Sequence, residues 1–402
     1  MSIVSRLFTG ANRNNAITST NPLAQLITPS ASGIAVTVEK ALSVTTVFSC
    51  LRVIAEGVAQ VPLKLYQSKD GITKQEAKTL PLHELLYLKP NDWQTSFEFF
   101  ENLIYQAGLL GNFYAFKNVV RGRLISLIPF EPGTMTLEVD ERRRITYKAQ
   151  LIGGEQKEFP SETIWHVRGP SWSTHIGMQA IHHAREAIGL ALNIEETQNK
   201  LHANGVQTTG LLSVEGTLGD KQYKDLSDWV KEKIGGANKF APFILDRNAK
   251  FQPVSWSGID AQTLETRRFQ IEEMCREFRV MPIMIGQSDK AATYASAEQM
   301  FLAHVVHTLS PWYRRIEQSI DSNLLTKQDR EQGIYARFNA NALMRGAAKD
   351  RAEFYWKMYQ MKAFNPNKIL SYEDENPYEG GEEYYVAPGS QLMENTNDQQ
   401  VP

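Results

Sequence analysis

Little in this 402-residue chain is reactive or adhesive. Cysteine is scarce. Cys50 and Cys275 are the only two, and both fall inside apolar helical patterns, so they read as buried thiols kept reduced. Long hydrophobic runs are missing: none reaches the ~18 residues that a membrane span needs. The opening MSIVSRLFTG lacks the apolar centre of a secretory signal, so a cytoplasmic site of synthesis is expected. An excess of one charge is missing too. Lys and Arg number 43 against 45 Asp and Glu, a net charge of −2, so no global positive field draws in nucleic acid. Any DNA contact must be local or non-adhesive.

Catalytic signatures are also absent. GVQTTG has two glycines at phosphate-loop spacing but runs into Leu211-Leu212 where Lys-Ser/Thr is required. There is no nucleophile elbow and no Cys-x-x-Cys. His304 and His307 stand three apart on a helical pattern and His182-His183 are adjacent, but neither set has a carboxylate at zinc-protease spacing. The expectation is a protein that is not an enzyme and uses no cofactor or metal.

What is present is an alternation of helix and strand typical of an α+β chain. Residues 1–33 are polar and read as a flexible arm. Val44, Val47, Cys50, Leu51, Ile54 and Val58 recur at helical spacing until Pro62, and LKLY follows as a strand. Thr95 and Glu98 have capping-box spacing at the start of another helix. From Asn112 to Val167 the pattern changes to short alternating runs, NFYAFKNV, LISLIPF, MTLEV, ITYKAQL and TIWHV, as in antiparallel sheet.

A helix over GMQAIHHAREAIGLALNIEETQNKLHANG then passes from apolar to polar midway, as at a subunit face or channel wall. Residues 206–256 read as a compact α/β insert between that helix and the next, DAQTLETRRFQIEEMCREFRV. The second helix is expected to be capped by Asp260 and halted at Met281-Pro282. Two posts thus carry a cap. A small polar run, GQSDKAATYASA, leads into the longest helical pattern. Ser296 with Gln299 predicts its cap, Phe301, Leu302, Val305, Val306, Leu309, Ile316 and Ile320 its buried stripe, and Pro311 a kink. Taken over residues 296–325 it would span about 45 Å. The basic pairs Arg267-Arg268 and Arg314-Arg315 fall on these long helices; they read as solvated helix faces or, more sharply, as candidates for inter-subunit ion pairs or a phosphate-facing ring. From Ser371 onward the chain has eight acidic residues and no Lys or Arg, and its end reads as disordered.

In order along the chain, VFSCLRVIAEGVAQVPLKLY, LPLHELLYLKPN, GNFYAF, IWHVRGPS with GMQAIHHA, LETRRFQIEEMCREFRVMPIMIG and TYASAEQMFLAHVVHTLSPWYRRIEQSI resemble the bacteriophage portal proteins. These are the head-to-tail connectors of tailed phages, and the likeness is to the HK-type branch. NPNKILSYEDENPYEGGEEY loosely resembles the closing block of that family, with Lys368 and Glu382 departing from its pattern.

The resemblance implies the portal fold, with wing, stem, clip and crown regions arranged as a ring around an axial channel. The wing would be 34–175, the stem helices 176–205 and 257–281, and the clip 206–256. A tunnel loop at 282–296 would be followed by a long kinked wing helix to 345, a crown at 346–385 and a disordered tail at 386–402. It implies a homo-oligomer, usually of twelve subunits, at one capsid vertex of the virion. Double-stranded DNA would pass through it non-specifically. A terminase packaging motor, the major capsid protein and a head-completion or adaptor protein would be its partners, with no membrane. Gln287, Ser288, Asp289, Lys290, Thr293 and Tyr294 would face the channel. Tyr223, Leu226, Trp229 and Val230 would serve the clip and its motor or adaptor contact. The rival readings are a sequence-specific nucleic-acid-binding protein, which demands a basic face and a reading helix, and a capsid-associated enzyme, which demands a nucleophile constellation. The sequence displays neither.

Overall fold

A computed structural model describes residues 28–68, 75–141, 144–151, 154–204, 210–213, 219–221, 223–225, 228, 250–253, 257–287, 294–339, 348–373 and 376–385. The chain divides into two compact units, 1–338 and 339–402.

The first unit opens with a hairpin, β1 (Thr28–Pro29) and β2 (Ala35–Val36), whose first strand falls inside the 1–33 stretch read as an arm. Its turn docks on the chain: the amide of Ala31 donates to a Glu186 carboxylate oxygen at 2.9 Å. Helix α1 (Val38–Ser43) is capped by Thr37. Helix α2 (Thr45–Ala59) follows after an extended Val44, so the first helical pattern is two helices. Val47, Cys50, Leu51, Ile54 and Val58 are buried along α2. Strands β3 (Leu63–Gln67) and β4 (Gln75–Glu76) come next. Helix α3 (Pro81–Tyr87) precedes α4 (Ser96–Leu109), where Thr95 and Glu98 form both halves of the capping box.

Strands β5 (Asn112–Val120), β6 (Arg123–Pro129), β7 (Met135–Val139), β8 (Ile145–Gln150), β9 (Gln156–Pro160) and β10 (Ile164–Arg168) make two antiparallel sheets, ordered β10-β5-β6 and β7-β8-β9. Phe116, Ile128, Tyr147, Phe159 and Ile164 form a buried cluster shared by the two sheets. Behind the first sheet the Phe99 ring meets Phe113 edge-on at 5.5 Å and stacks on Trp165 at 6.1 Å. Burying such rings contributes roughly 25 cal/mol per Å² of apolar surface, which helps anchor α4 on the sheet, while its other side packs on α2.

After β10 the chain makes a tight loop locked backbone to backbone. The amide of Gly169 donates to the Gly111 carbonyl at 2.7 Å, and that of Met178 to the Pro170 carbonyl at 2.7 Å. A Cβ on Gly177 would lie 1.9 Å from the Gly111 carbonyl oxygen, and one on Gly111, where φ is +78°, 2.3 Å from that of Met178. Only glycine permits this approach. Asn112 Oδ1 accepts from the Gly177 amide (2.8 Å) and bonds His166 Nε2 (3.0 Å), while His166 Nδ1 meets the Tyr147 hydroxyl (3.2 Å). Burial, with the Arg168 charge adding to it, pushes the His166 imidazole down to about 3. It is therefore a neutral crosslink.

Helices α5 (Ala180–His183) and α6 (Arg185–Asn204) follow, then β11 (Gly210–Ser213) paired with β12 (Lys250–Pro253), then α7 (Ser257–Phe278). Helix α7 begins three residues before Asp260, so Asp260 is inside the helix and not its cap. It ends at Phe278, with Arg279 left-handed at φ +55°. Helices α6 and α7 pack on each other, and α7 also packs on α2. There the Cys50 and Cys275 sulfurs lie 3.9 Å apart, both buried and reduced. The shared hydrogen bond, with burial behind it, pushes the Cys50 thiol far up.

Three helices and one strand complete the unit: α8 (Tyr294–His304), α9 (Ser310–Asn323), α10 (Lys327–Glu331) and β13 (Ile334–Phe338). Strand β13 is the outer strand of the sheet β13-β3-β4. The second unit contains α11 (Ala348–Gln360) and α12 (Pro366–Tyr372). Asn365 caps α12. Glu382 accepts from Asn365 Nδ2 (2.9 Å) and Asn367 Nδ2 (3.1 Å), so this departure from the family pattern closes the block as a carboxylate acceptor.

Candidate functional site

The site is built around the run that leads into α8. On its entry side a 3-10 turn, Pro282–Ile285, ends at Gly286 with φ +83°, and the Gln287 amide returns to the Pro282 carbonyl at 3.0 Å. Gln287 is half-buried. Ser288, Asp289, Lys290 and Thr293 lie outside the described residues. Tyr294 is the first residue of α8, so the helix starts before Ser296, and Ser296 is not its cap. Of the 282–296 stretch expected as a loop, Pro282–Ile285 and Tyr294 onward are helical.

Pro311 changes the exit side. Its ring would collide with the carbonyl of His307 in a regular α-helix. The structure instead has a π-helical turn over Val305–Leu309, which widens the backbone just before α9. The turn is pinned twice. Thr308 Oγ1 donates to the Arg279 carbonyl at 2.5 Å, tying it to the end of α7. Leu309 packs where a Cβ on Gly57 would be 2.8 Å from Leu309 Cδ2, and the Tyr313 hydroxyl donates to the Gly57 carbonyl at 2.7 Å. Both ends of 287–293 thus rest on one framework of α2, α7 and the π turn.

The buried stripe differs from the sequence expectation. Val305, Leu309, Ile316 and Ile320 are buried. Phe301 and Leu302 on α8 and Val306 in the π turn are 40%, 48% and 50% exposed among the described residues. In α9, Glu317 and Asp321 are four apart and face β13. They accept from the amides of Phe338 (2.9 Å) and Ala336 (2.7 Å), with Arg337 beside both. Burial raises the Glu317 carboxyl above its usual range, against the lowering effects of the Phe338 amide, Arg337 and Arg314. The i, i+4 spacing of these two carboxylates is the sequence signal that could have found them.

The four arginines separate. Arg267 Nη1 donates to Gln198 Oε1 at 2.8 Å, so it ties α7 to α6 within the chain. Arg268 is exposed. Arg314 approaches Glu317 at 3.6 Å. Arg315 donates to the carbonyls of Arg168 (3.2 Å) and Gly169 (2.7 Å) and stands over the Trp312 ring at 5.6 Å. Arg267, Arg314 and Arg315 thus each make a contact within the chain. Tyr223 is 67% exposed in a helical turn, its amide bonded to the Gly219 carbonyl at 2.9 Å. Leu226, Trp229 and Val230 lie outside the described residues.

His304 is buried, and burial lowers its pKa; His307 is exposed. His182 Nε2 meets Arg185 Nη1 at 3.3 Å. Among the described residues no three His, Cys, Asp or Glu side chains converge as a metal site requires, and no helix is long and apolar enough to cross a membrane.

Comparison with known proteins matches the phage portal protein family over residues 45–374. The portal protein of Enterobacteria phage HK97 is 28% identical over 349 residues, covering 86% of this chain and 81% of that one. The probable portal protein of Streptomyces phage phiC31 is 28% identical over 370 residues, 89% of this chain and 80% of that one. Among solved structures, a chain of a native gene transfer agent virion superposes with a TM-score of 0.58 at 20% identity, over 85% of this chain and 92% of that one. An HK97-family portal protein from Corynebacterium diphtheriae gives 0.55 at 16% identity, over 77% and 97%. These two show that the fold is shared.

Proposed function

The chain belongs to the phage portal protein family, and from that premise, a head-to-tail connector, we propose that it works as a ring of about twelve copies at one capsid vertex of the virion. Double-stranded DNA enters and leaves through the axial channel. The observation that carries the ring is the exposure of large apolar side chains among the described residues: Phe301 and Leu302 on α8, Val306 in the π turn, and Leu264 and Phe269 on α7. One chain leaves these side chains in water, and a neighbouring copy removes them from it. Chains of neck structures solved with C12 and with C6 symmetry share this fold.

In this reading α6 and α7 are the stem, and the segment carried between them is the clip that receives the terminase motor and later a head-completion or adaptor protein. The 34–175 region and α8 to β13 form the wing towards the major capsid protein. The unit from 339 onward includes the crown. Residues 287–293 line the narrow part of the channel, with Lys290 the only cation and Asp289 beside it. Opposed charges repeated around a ring sum to nearly zero, which favours sliding, because each phosphate neutralised adds affinity through counterion release. Assembly of the ring takes place in the host cytoplasm, before DNA is packaged.

Native mass and electron micrographs of the purified protein test the ring; a monomer or dimer at assembly concentrations overturns it. Deletion of Asp289 to Thr293 tests the channel segment. Rings should form normally while genome packaging or retention fails. Full packaging by the deletion variant reduces the segment to a connector.

A further inference from the structure

A polar cavity of about 380 Å³ opens beneath the locked 168–178 loop, between the end of β10 and one face of α9. Its charges are one-sided. Arg168 and Arg315 line it together with the neutral His166, and among the described residues no Asp or Glu does. Both guanidinium groups spend their contacts on neutral partners. Arg315 holds the carbonyls of Arg168 and Gly169, and Arg168 Nη1 holds that of Thr174 at 2.5 Å. Two positive charges thus share a cavity wall with no counter-charge. Burial first, and the Arg168 charge second, weaken the hold of Arg315 on its proton.

The rest of the wall offers donors. The Ser319 hydroxyl accepts from Trp165 Nε1 (2.9 Å) and the Ser173 hydroxyl from the His175 amide (3.3 Å), which leaves each its own proton to give. A helix C-terminus normally repels anions. Here the last carbonyls of α9 are already occupied: Lys117 Nζ donates to that of Asn323 (3.1 Å), and Arg330 Nη1 to that of Ser322 (3.1 Å).

We propose that this cavity is a phosphate-binding site, taking inorganic phosphate or a backbone phosphate of DNA. A carboxylate offers two oxygens in one plane and is satisfied by a single guanidinium fork. Donors from two guanidinium groups and two hydroxyls, on β10, the loop and α9, fit the several oxygens of a tetrahedral anion. The site is separate from residues 287–293 and does not depend on ring formation.

The full chain is titrated with sodium phosphate at constant ionic strength in a calorimeter, with sodium nitrate as the blank. Saturable binding with a Kd of about 1 mM or tighter is expected. Arg168→Gln, at an exposed position, should weaken it about tenfold while leaving the unfolding midpoint in place. Affinity should rise a few-fold from about pH 6 to about pH 8 as phosphate gains its second charge and the arginines keep theirs. A short DNA duplex is then added as competitor: loss of the phosphate heat assigns the site to the DNA backbone, and its persistence assigns it to free phosphate. No saturable heat, or equal affinity in wild type and Arg168→Gln, overturns the proposal.

Discussion

Helices α8 and α9 belong to one nearly continuous run, yet they solve opposite problems. Helix α9 is the more polar, with Arg314, Arg315, Glu317, Gln318 and Asp321 among its residues, but its Tyr313, Ile316 and Ile320 stripe is fully covered by its own chain. Helix α8 is richer in apolar residues, and Phe301 and Leu302 are left in water. Apolar content therefore does not tell which helix belongs to the core of the folded chain. The covering elements decide, and among the described residues α8 is covered less than α9. The π turn is the border between the two regimes.

The contrast can be broken most sharply from the α9 side. Ile316→Ala should cost about 2–5 kcal/mol, since Ile316 is fully buried and the cavity cannot collapse against strand and helix. Denaturant unfolding of the full chain measures this, and a loss below about 0.5 kcal/mol would show that α9 is not anchored as described. Glu317→Ala should cost about 2 kcal/mol by stranding the Phe338 amide and the Arg337 charge.

The same carboxylate gives a pH prediction. Its folded pKa is raised, mainly by burial, so its contribution is fully present below the unfolded pKa and is lost as pH rises through the folded one. The stability of Glu317→Gln relative to wild type should therefore improve from mildly acidic to neutral pH. A gap that moves the other way would mean that the Arg337 and Arg314 charges dominate over burial.

On the α8 side the expectation reverses. Phe301→Ser with Val306→Ser should change unfolding of the isolated chain by about 0.5 kcal/mol or less, yet lower the native mass of the assembly. Full-sized rings from this double variant would remove α8 from the subunit face. The smallest effect is at the border. Pro311→Ala permits a regular α register and should alter stability by no more than about 1 kcal/mol while slowing amide exchange over 305–309. Unchanged exchange would mean that the Gly57 and Thr308 contacts, not the proline, hold the π turn.

Local signals were legible where the chemistry is local. Thr95 and Glu98 are both partners of their box, and the alternating runs after Asn112 are strands. Strand β9 was not visible, since QKEFP has a single large apolar side chain and gains its place by pairing with β8. Ser296 and Asp260 have cap chemistry but lie inside helices that begin two and three residues earlier. Arg315 reads as a surface cation; its carbonyl partners come from a loop some 146 positions earlier, which no spacing rule could reveal. Phe301 and Leu302 fit a core stripe perfectly well by period, and period is blind to whether the covering layer is the same chain or another.

Strand β13 has a free edge, and a free edge is an invitation to any extended segment nearby. Glu317 and Asp321 have already taken the two amides, those of Phe338 and Ala336, that an incoming strand would have to claim. In the proposed ring, copies would stand at high local concentration around an axis, where adding one strand to the next would polymerise them into an open chain. With these two amides held by side chains of the protein itself, the proposed neighbours would meet through other surfaces, and the ring could close.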